Sequence, residues 1–489
     1  MNGVEPSREK SSWTWKVFRK EALVVEVELH PYVVQLRTTF GTSHSHTTMR
    51  TNALFTVRMP WEQGVETGVA EVGLPPKKPG IYEADYEDSV RVANKFVCFA
   101  AHEQAKGSRC PVSLTCLENG KCKDQRSFKN ASPSNEGDPF AEIHERFFSE
   151  IRMRTAFNST FQSLLHSLDR CLMEEGAIAF STCAGIEVAL FDSWSRIMNV
   201  PLHQAICPLA KLPRRVSFYT VAMNDNVAEM VASALFGLQH TPFLKIKLGP
   251  CLDTNIQVLT ILYRELEARN YGTADKSWSI DANACLNPEQ ALLLLQYMPA
   301  HILRALYMIE QPFPHNLTRE GREPMSQTDL DGNLARWALV KRAWERQGVL
   351  VFADESVRWA EDIPPLVPIC SGVNLKLEKA GGLRGLVRAA EAARAYGLRV
   401  WIGCMVGSSL NSTISAHALC LSDTACDLDG SLLVHPNGER YCGGFQWSTP
   451  DDHRTEIDMS TPKAILEGSY GYVHLSPAAG TGMTPVSSR

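Results

Sequence analysis

Between residues 21 and 73 apolar and polar side chains alternate, as in ALVVEVELHPYVVQL and NALFTVRMPWEQGVETGVAEVGL. A repeat of two belongs to antiparallel strands with one face buried and the other wetted, so this segment predicts a small meander. Residues 84–105 and 138–173 carry helical spacing instead. The stretch from Gly107 to Gly137 is rich in Ser, Asn, Lys, Gly and Cys, shows no period, and is expected to be a loop.

From about residue 178 the texture becomes strand, loop and helix in repetition. VSFYTVAM (216–223), FLKIKLG (243–249), SWSIDANA (277–284), ALYMIEQP (305–312), VLVFADES (349–356), GVNLKLEK (372–379) and LRVWIGCM (398–405) are short apolar or β-branched runs. Helical patterns separate most of them. Ile256, Leu259, Leu262 and Leu266 recur at helical spacing, Asn287-Pro288 caps the next helix, and RGLVRAAEAARAYG ends at Gly397, a good terminator. Parallel strands need crossovers and a barrel leaves no sheet edge, so the alternation predicts a parallel β/α barrel. The rival, a doubly wound open sheet, would normally carry a Gly-rich turn after its first strand, and none is present. The expected organisation is an α+β region over 1–177, interrupted by the insertion near 107–137, a barrel over 178–440, and a C-terminal segment, 441–489.

Polar residues crowd at the C-terminal ends of these strands: Lys245 and Lys247, Asp281 and Asn283, Glu310, Asp354 and Glu355, then Lys376. In a β/α barrel that end is the active-site face. A lone acid at a strand end is more often a helix cap, but successive strands repeating the pattern deliver their groups to one mouth. Asp281, Glu310 and Asp354 would repel one another unless a cation held them, and all-oxygen ligands select Mg²⁺ or a similar ion over zinc. Three unrelated solvated acids are the alternative. Lys245 and Lys247 are two apart on a strand and point to one side; burial and mutual repulsion would lower their pKa values and prepare one as a base. Lys376 would approach from the opposite side of the mouth. Two lysines flanking a divalent cation suit removal of a proton from carbon next to a carboxylate.

Composition adds mainly exclusions. The 489 residues hold 49 Lys+Arg against 54 Asp+Glu, a net charge of −5 without a long basic block, which argues against a nucleic-acid carrier and for a small-molecule enzyme. No apolar run reaches the ~18 residues of a membrane span, and MNGVEPSREKSSWTWK lacks the core of a signal peptide, so a cytoplasmic protein with no membrane partner is expected. The 14 cysteines contain no C-x-x-C pair and read as thiols in a reducing compartment. Cys110, Cys116 and Cys122 recur at intervals unlike those of zinc ligands; a surface insertion is the main reading and a metal site the lesser one.

Seven segments in chain order carry a family resemblance: Lys245-Ile246-Lys247, Ser279 to Asn283, Ile309-Glu310-Gln311-Pro312, Ala353 to Ser356, Asn374 to Gly382, Gly403-Cys404-Met405, and Cys426 to Gly430. The chain resembles the muconate-lactonizing subgroup of the enolase superfamily, and within it the dipeptide epimerases, of which alanyl-glutamate epimerase is the familiar type. The resemblance implies an α/β fold, a modified (β/α)7β TIM-like barrel, with an α+β capping domain made from the N-terminal region and the tail. It implies one Mg²⁺ per subunit on Asp281, Glu310 and Asp354, with Lys247 and Lys376 as the acid/base pair and Lys245 tuning Lys247. Lys379 fits the motif more loosely than Lys376. Asn283 and Glu355 would support the metal ligands, and Thr220, Cys404 and Met405 would line the substrate site. Asp427 and Asp429 would bind the free amino group of a dipeptide, a task for which paired carboxylates are suited; an acidic cap before Gly430 is the other reading. The implied reaction is inversion of the α-carbon of a dipeptide's C-terminal residue. A cycloisomerase or dehydratase of the same superfamily is the rival activity, and a binding protein presenting the insertion is the rival of another class. Assembly into a homo-oligomer is left open. Two features depart from the pattern or stand apart from it. Gly407, Ser408 and Ser409 follow G-C-M-x where many relatives carry an acid, and FGTSHSHT (40–47) is either a solvent loop or a closing loop offering His44 or His46 to an acidic group.

Overall fold

The computed structural model describes residues 11–19, 21–41, 46–61, 64–105, 112–118, 121–128, 159–208, 215–269, 275–317, 327–448, 471 and 473–486. The segment with a repeat of two forms an antiparallel meander of β1 (Trp13–Arg19), β2 (Ala22–Gly41), β3 (His46–Trp61) and β4 (Gly64–Val72). Val25, Val27 and Leu29 of β2 and Phe55 and Val57 of β3 are fully buried. Two further strands extend the sheet beyond β1: β5 (Val112–Glu118) pairs antiparallel with β1, and β6 (Lys121–Phe128) with β5. This corrects the expectation of a loop across 107–137. The hydrogen bonds of an added strand come from its neighbour's backbone, so it needs little hydrophobic period of its own. Cys116 and Cys122 fall on β5 and β6, whereas Cys110 and residues 42–45, with His44, lie outside the described residues. Every cysteine whose side chain is described is a free thiol.

Helices Tyr86–Ala105 and Ser159–Glu175 pack together, and helix Phe180–Ile197 lies on β3 and β4. The run Thr160–Ile197 is long and apolar enough to span a membrane by length and composition, but 78% of its most apolar window is buried inside the protein, as in a core helix.

Eight parallel strands follow in sequence order: β7 (Tyr219–Val221), β8 (Leu244–Lys247), β9 (Trp278–Asp281), β10 (Leu306–Glu310), β11 (Leu350–Ala353), β12 (Gly372–Leu375), β13 (Arg399–Gly403) and β14 (Cys426–Asp427). Seven lie inside the runs read from the sequence; β14, with two residues, is too short to show a period. A bridge between Ser217 and Cys426 joins the last strand to the first, with Phe218 N donating to Cys426 O and Cys426 N to Val216 O, both at 3.0 Å. Toward the N-terminal ends of the strands the barrel is plugged by aromatic rings. Phe218 lies 5.1 Å from both Phe243 and Trp401, and Phe352 lies 6.0 Å from Trp401. The plug leaves the polar residues to the other end.

In the tail, β15 (Tyr441–Gly443) pairs with β18 (Met483–Pro485), and β16 (Phe445–Trp447) with β17 (Val473–Leu475). Asp192 ties the tail to the N-terminal sheet: buried at the end of its helix, it accepts from Val69 N of β4 at 2.9 Å and from Thr481 N at 2.6 Å.

Candidate active site

Strand register assembles the site. Lys247 pairs with Asp281 across β8 and β9, and Asp281 with Glu310 across β9 and β10, so three charged residues share one rung. Asp354 and Lys376 directly follow β11 and β12. Side chains on one rung of a parallel sheet point the same way, so all of these enter the same mouth.

Lysines bind the acids together there. Lys247 Nζ donates to Asp281 Oδ2 at 2.5 Å, and Lys376 Nζ to Asp354 Oδ2 at 2.7 Å. Lys245 reaches Glu310 Oε1 at 2.9 Å, Asp427 Oδ2 at 2.7 Å and Asp281 Oδ2 at 3.2 Å. Lys379, from the short helix Leu377–Ala380, donates to Asp354 Oδ1 and to Asn374 O. β8 and β12 stand four apart in a ring of eight, which sets Lys247 and Lys376 across the mouth from each other.

The expected lowering of the lysine pKa values by mutual repulsion is overturned for Lys245. Burial opposes its charge, but Asp427, Glu310 and Asp281 outweigh burial and hold the ammonium well above the ordinary lysine range. Lys376 is likewise raised, by Asp354 against burial. A carboxylate in contact outweighs a like charge further off. Lys379 moves down, through burial that Asp354 does not fully offset.

The acids feel the opposite imbalance. Burial, with Asp281 and Asp354 adding to it against Lys245, pushes Glu310 up to about 8. Burial, Asp354 and Asp281 raise Glu355. Six buried carboxyls, Asp281, Glu310, Asp354, Glu355, Asp427 and Asp429, face four buried lysines, 245, 247, 376 and 379. Among the described residues no three His, Cys, Asp or Glu side chains meet at one point able to hold an ion, because the lysines stand between the acids. The donor set still fits a divalent cation: its oxygens are hard, Asp281 and Glu310 share a rung, and Asp354 directly follows the neighbouring strand.

The backbone beneath the acids is strained. Asn283, Ala284 and Gln311 have φ of 42°, 66° and 39°. Such conformations persist where the surroundings dictate them. Here Asn283 N donates to Asp281 Oδ1 and its side chain to Glu355 Oε1, both at 2.9 Å. Gln311 Oε1 accepts from Asp354 N at 2.8 Å and Ser356 N at 3.2 Å. Gly403 leaves room for the opposite lysine: a Cβ there would sit 2.9 Å from Lys376 Cε and 2.6 Å from Asn374 Oδ1.

Asp427 and Asp429 lie at the β7 side. Asp429 Oδ2 accepts from Thr220 N at 2.5 Å, and burial together with Asp427 pushes its carboxyl up to about 7. Asp427 Oδ1 is buried and takes no hydrogen bond from the described residues. Thr220, Cys404 and Met405 join Lys245, Lys247, Lys376, Asn283, Asp354, Glu355 and the two acids around a cavity of about 250 Å³. Asp281 and Glu310 lie beneath it, reached through Lys245 and Lys247. The acid missing after G-C-M-x is replaced in space by Glu71 of β4, which accepts from Ser408 N at 3.1 Å and from Ser408 Oγ; a Cβ on Gly407 would lie 2.8 Å from it. Residues that the sequence reading missed include Arg50, Lys78 and Tyr82, brought over the mouth from β3 and the loop after β4. No local motif marks them, since they reach the site only through the packing of two regions. Gln311 and Asn374 stood inside quoted motifs without a role.

Residues 223–486 match the family model described as "Enolase C-terminal domain-like". An enolase superfamily member from Dictyostelium discoideum is 32% identical over 424 residues, 86% of this chain and 91% of that one. An L-Ala-D/L-amino acid epimerase from Pedosphaera parvula is 28% identical over 258 residues, 52% of this chain and 65% of its own. The structure of a dipeptide epimerase from Cytophaga hutchinsonii, complexed with Mg and D-Ala-L-Val, superposes with a TM-score of 0.63 over 95% of this chain and 96% of that one; at 16% identity it speaks for the fold alone. The chain belongs to the enolase superfamily, in its mandelate-racemase/muconate-lactonizing subgroup close to the dipeptide and amino-acid epimerases, and carries the isomerase chemistry of that group.

Proposed function

We propose that the protein is a divalent-metal-dependent dipeptide epimerase that inverts the α-carbon of the C-terminal residue. The observation that carries this reading is the placement of Lys247 and Lys376 across one mouth with the Asp427 and Asp429 pair beside them. Asp281, Glu310 and Asp354 would hold the metal, which when bound supplies charge neutralisation for the substrate carboxylate. Lys245, buried among three carboxylates, keeps a positive charge beside that carboxylate. Lys247 in its neutral form takes the α-proton at Nζ, and Lys376 as ammonium delivers one to the opposite face. For the reverse stereoisomer the two exchange roles, so the net change is inversion alone. Asp427 Oδ1, an acceptor with no described donor, and Asp429 suit a substrate ammonium. The relatives named as epimerases of L-Ala-containing substrates agree with this choice.

Incubating the enzyme with Mg²⁺ and a panel of dipeptides in D₂O tests it. Gain of one mass unit at the C-terminal α-carbon with appearance of the epimer is expected. Loss or rearrangement of a group from another carboxylate, without such exchange, would replace the epimerase with a cycloisomerase or dehydratase.

A further inference from the structure

Among the described residues two pairs of cysteine thiols meet, and their surroundings differ. Cys171 and Cys183, from the helices Ser159–Glu175 and Phe180–Ile197, are both fully buried, and Cys183 Sγ donates to Leu168 O at 3.9 Å. Cys207 and Cys420 are only partly buried. Cys207 ends the short helix Leu202–Ile206, and Cys420 sits in the 3₁₀ turn Ala418–Leu421, which packs against that helix. Exposed Cys251 and Cys442 contact the hydroxyls of Thr254 and Thr484 instead.

Each segment of the second pair carries a histidine one turn ahead of its cysteine, and the histidines fix the two segments together. His203 N donates to His417 Nδ1 at 3.2 Å, and the two rings stack with centroids 5.7 Å apart. Cys207 N donates to His203 O at 2.9 Å, and Cys420 Sγ to His417 O at 3.6 Å, so each thiol follows an anchored histidine. The thiols of Cys207 and Cys420 are thereby brought into hydrogen-bond contact. That contact, with burial added to it, holds the Cys420 thiol well above its ordinary range, so Cys207 is the member that yields a thiolate first. A disulfide needs its sulfurs close together before it forms, and this pair meets that condition with one member able to react.

The place of the pair in the chain gives a bond there a structural consequence. Helix Leu202–Ile206 precedes β7, the first barrel strand, and the turn Ala418–Leu421 leads into β14, the last, so β7 to β13 all lie between the two cysteines. The seam that closes the barrel rests on the bridge between Ser217 and Cys426, to which the last strand brings two residues. A cross-link closing so long a loop would restrict the unfolded chain strongly and stabilise the folded one.

We propose that Cys207 and Cys420 are an oxidative modification site, forming a reversible disulfide on exposure to a hydroperoxide and stapling the barrel at its closing seam. The Cys207 thiolate attacks the O–O bond of hydrogen peroxide, giving a sulfenic acid and a hydroxide that takes up the proton Cys207 released. The Cys420 sulfur then displaces the sulfenic hydroxyl, which leaves as water with the Cys420 proton. Two electrons pass from the sulfurs to the peroxide, one S–S bond forms, and two waters leave. The site is independent of the epimerase reading.

The test takes the full chain, reduced and desalted, treats it with a few equivalents of hydrogen peroxide, then unfolds it, alkylates it, digests it without reductant and maps the peptides by mass spectrometry. A peptide pair joined through Cys207 and Cys420 is expected, lost on treatment with dithiothreitol, while Cys171 and Cys183 are recovered alkylated. The oxidised wild type should melt about 5 °C higher than the reduced one, and Cys207→Ser and Cys420→Ser should each abolish that rise. Recovery of Cys207 as a sulfinic acid or a free thiol without the link, its linkage to any other cysteine, or preferential linkage of Cys171 to Cys183 would overturn the site. A Cys207–Cys420 link that leaves the melting midpoint unchanged would overturn the staple. The wild-type peptide map and melting comparison need no variant and stand even if either substitution does not fold.

Discussion

At the scale of single residues the chemistry depends on two ammonium groups that look too well paired to act. Lys376 is held well above its usual range by Asp354, and Lys247 touches Asp281. Each pairs with an acid assigned to the metal, so the resting ion pairs mark where substrate and cation would rearrange charge. If the two work from opposite faces, Lys247→Ala and Lys376→Ala should each lower epimerisation by at least ~10³-fold. Each variant should still exchange the α-proton of the one stereoisomer that its surviving lysine faces. Proton NMR of L,L and L,D dipeptides in D₂O separates the two activities. Full epimerase turnover in either variant would end the two-base assignment.

Elements carry the next layer, and they divide by how local their signals are. The barrel strands and the meander were legible because each has its own repeat, and the mouth was legible because Lys247, Asp281, Glu310, Asp354 and Lys376 fall at successive strand ends. What stayed hidden depends on partners far away in the chain. The β5 and β6 hairpin owes its place to the edge of β1, Glu71 fills a gap at Gly407, and Arg50 reaches the cavity only because one sheet packs over another structure's mouth. The lysine pKa direction was misread for the same reason: repulsion between neighbours is visible in sequence, whereas Asp427, which lies 182 residues beyond Lys245, is not a neighbour until the barrel closes. The loop after β14 joins these two kinds of signal. Its Asp-Leu-Asp was legible as a motif, and its buried acceptor at Asp427 Oδ1 is a product of the fold. If that acceptor takes a substrate ammonium, N-acetylation of an otherwise good dipeptide should cost most of its kcat/KM, about 100-fold or more. Equal rates for the free and acetylated forms would give Asp427 and Asp429 a different task.

For the whole molecule the question is what holds the N-terminal sheet over the barrel. Glu71 of β4 is 1% exposed and accepts from Asn52 Nδ2 at 2.7 Å and from the Ser408 backbone and hydroxyl, while Asn411 Nδ2 donates to Glu71 O at 3.1 Å. Burial, only partly offset by these donors, pushes its carboxyl up to about 7 from an ordinary value of 4.5. The folded protein therefore holds a proton that the unfolded chain releases. The stabilisation linked to that proton is complete below about pH 4.5 and is lost as pH rises through about 7, a total of roughly 3 kcal/mol. Glu71→Gln carries a permanent N–H in place of the titrating proton. The fall in unfolding free energy between pH 5 and pH 8 should accordingly be smaller in Glu71→Gln than in the wild type by about 2.5 kcal/mol, most of that total, read from denaturant titrations at the two pH values. Glu310 and Asp429 are also raised and contribute in the same direction, but they contribute to both proteins, so the difference isolates Glu71. Identical pH dependence in the two proteins would mean that Glu71 stays ionised in its buried place, and that its donors alone balance the charge where sheet and barrel meet.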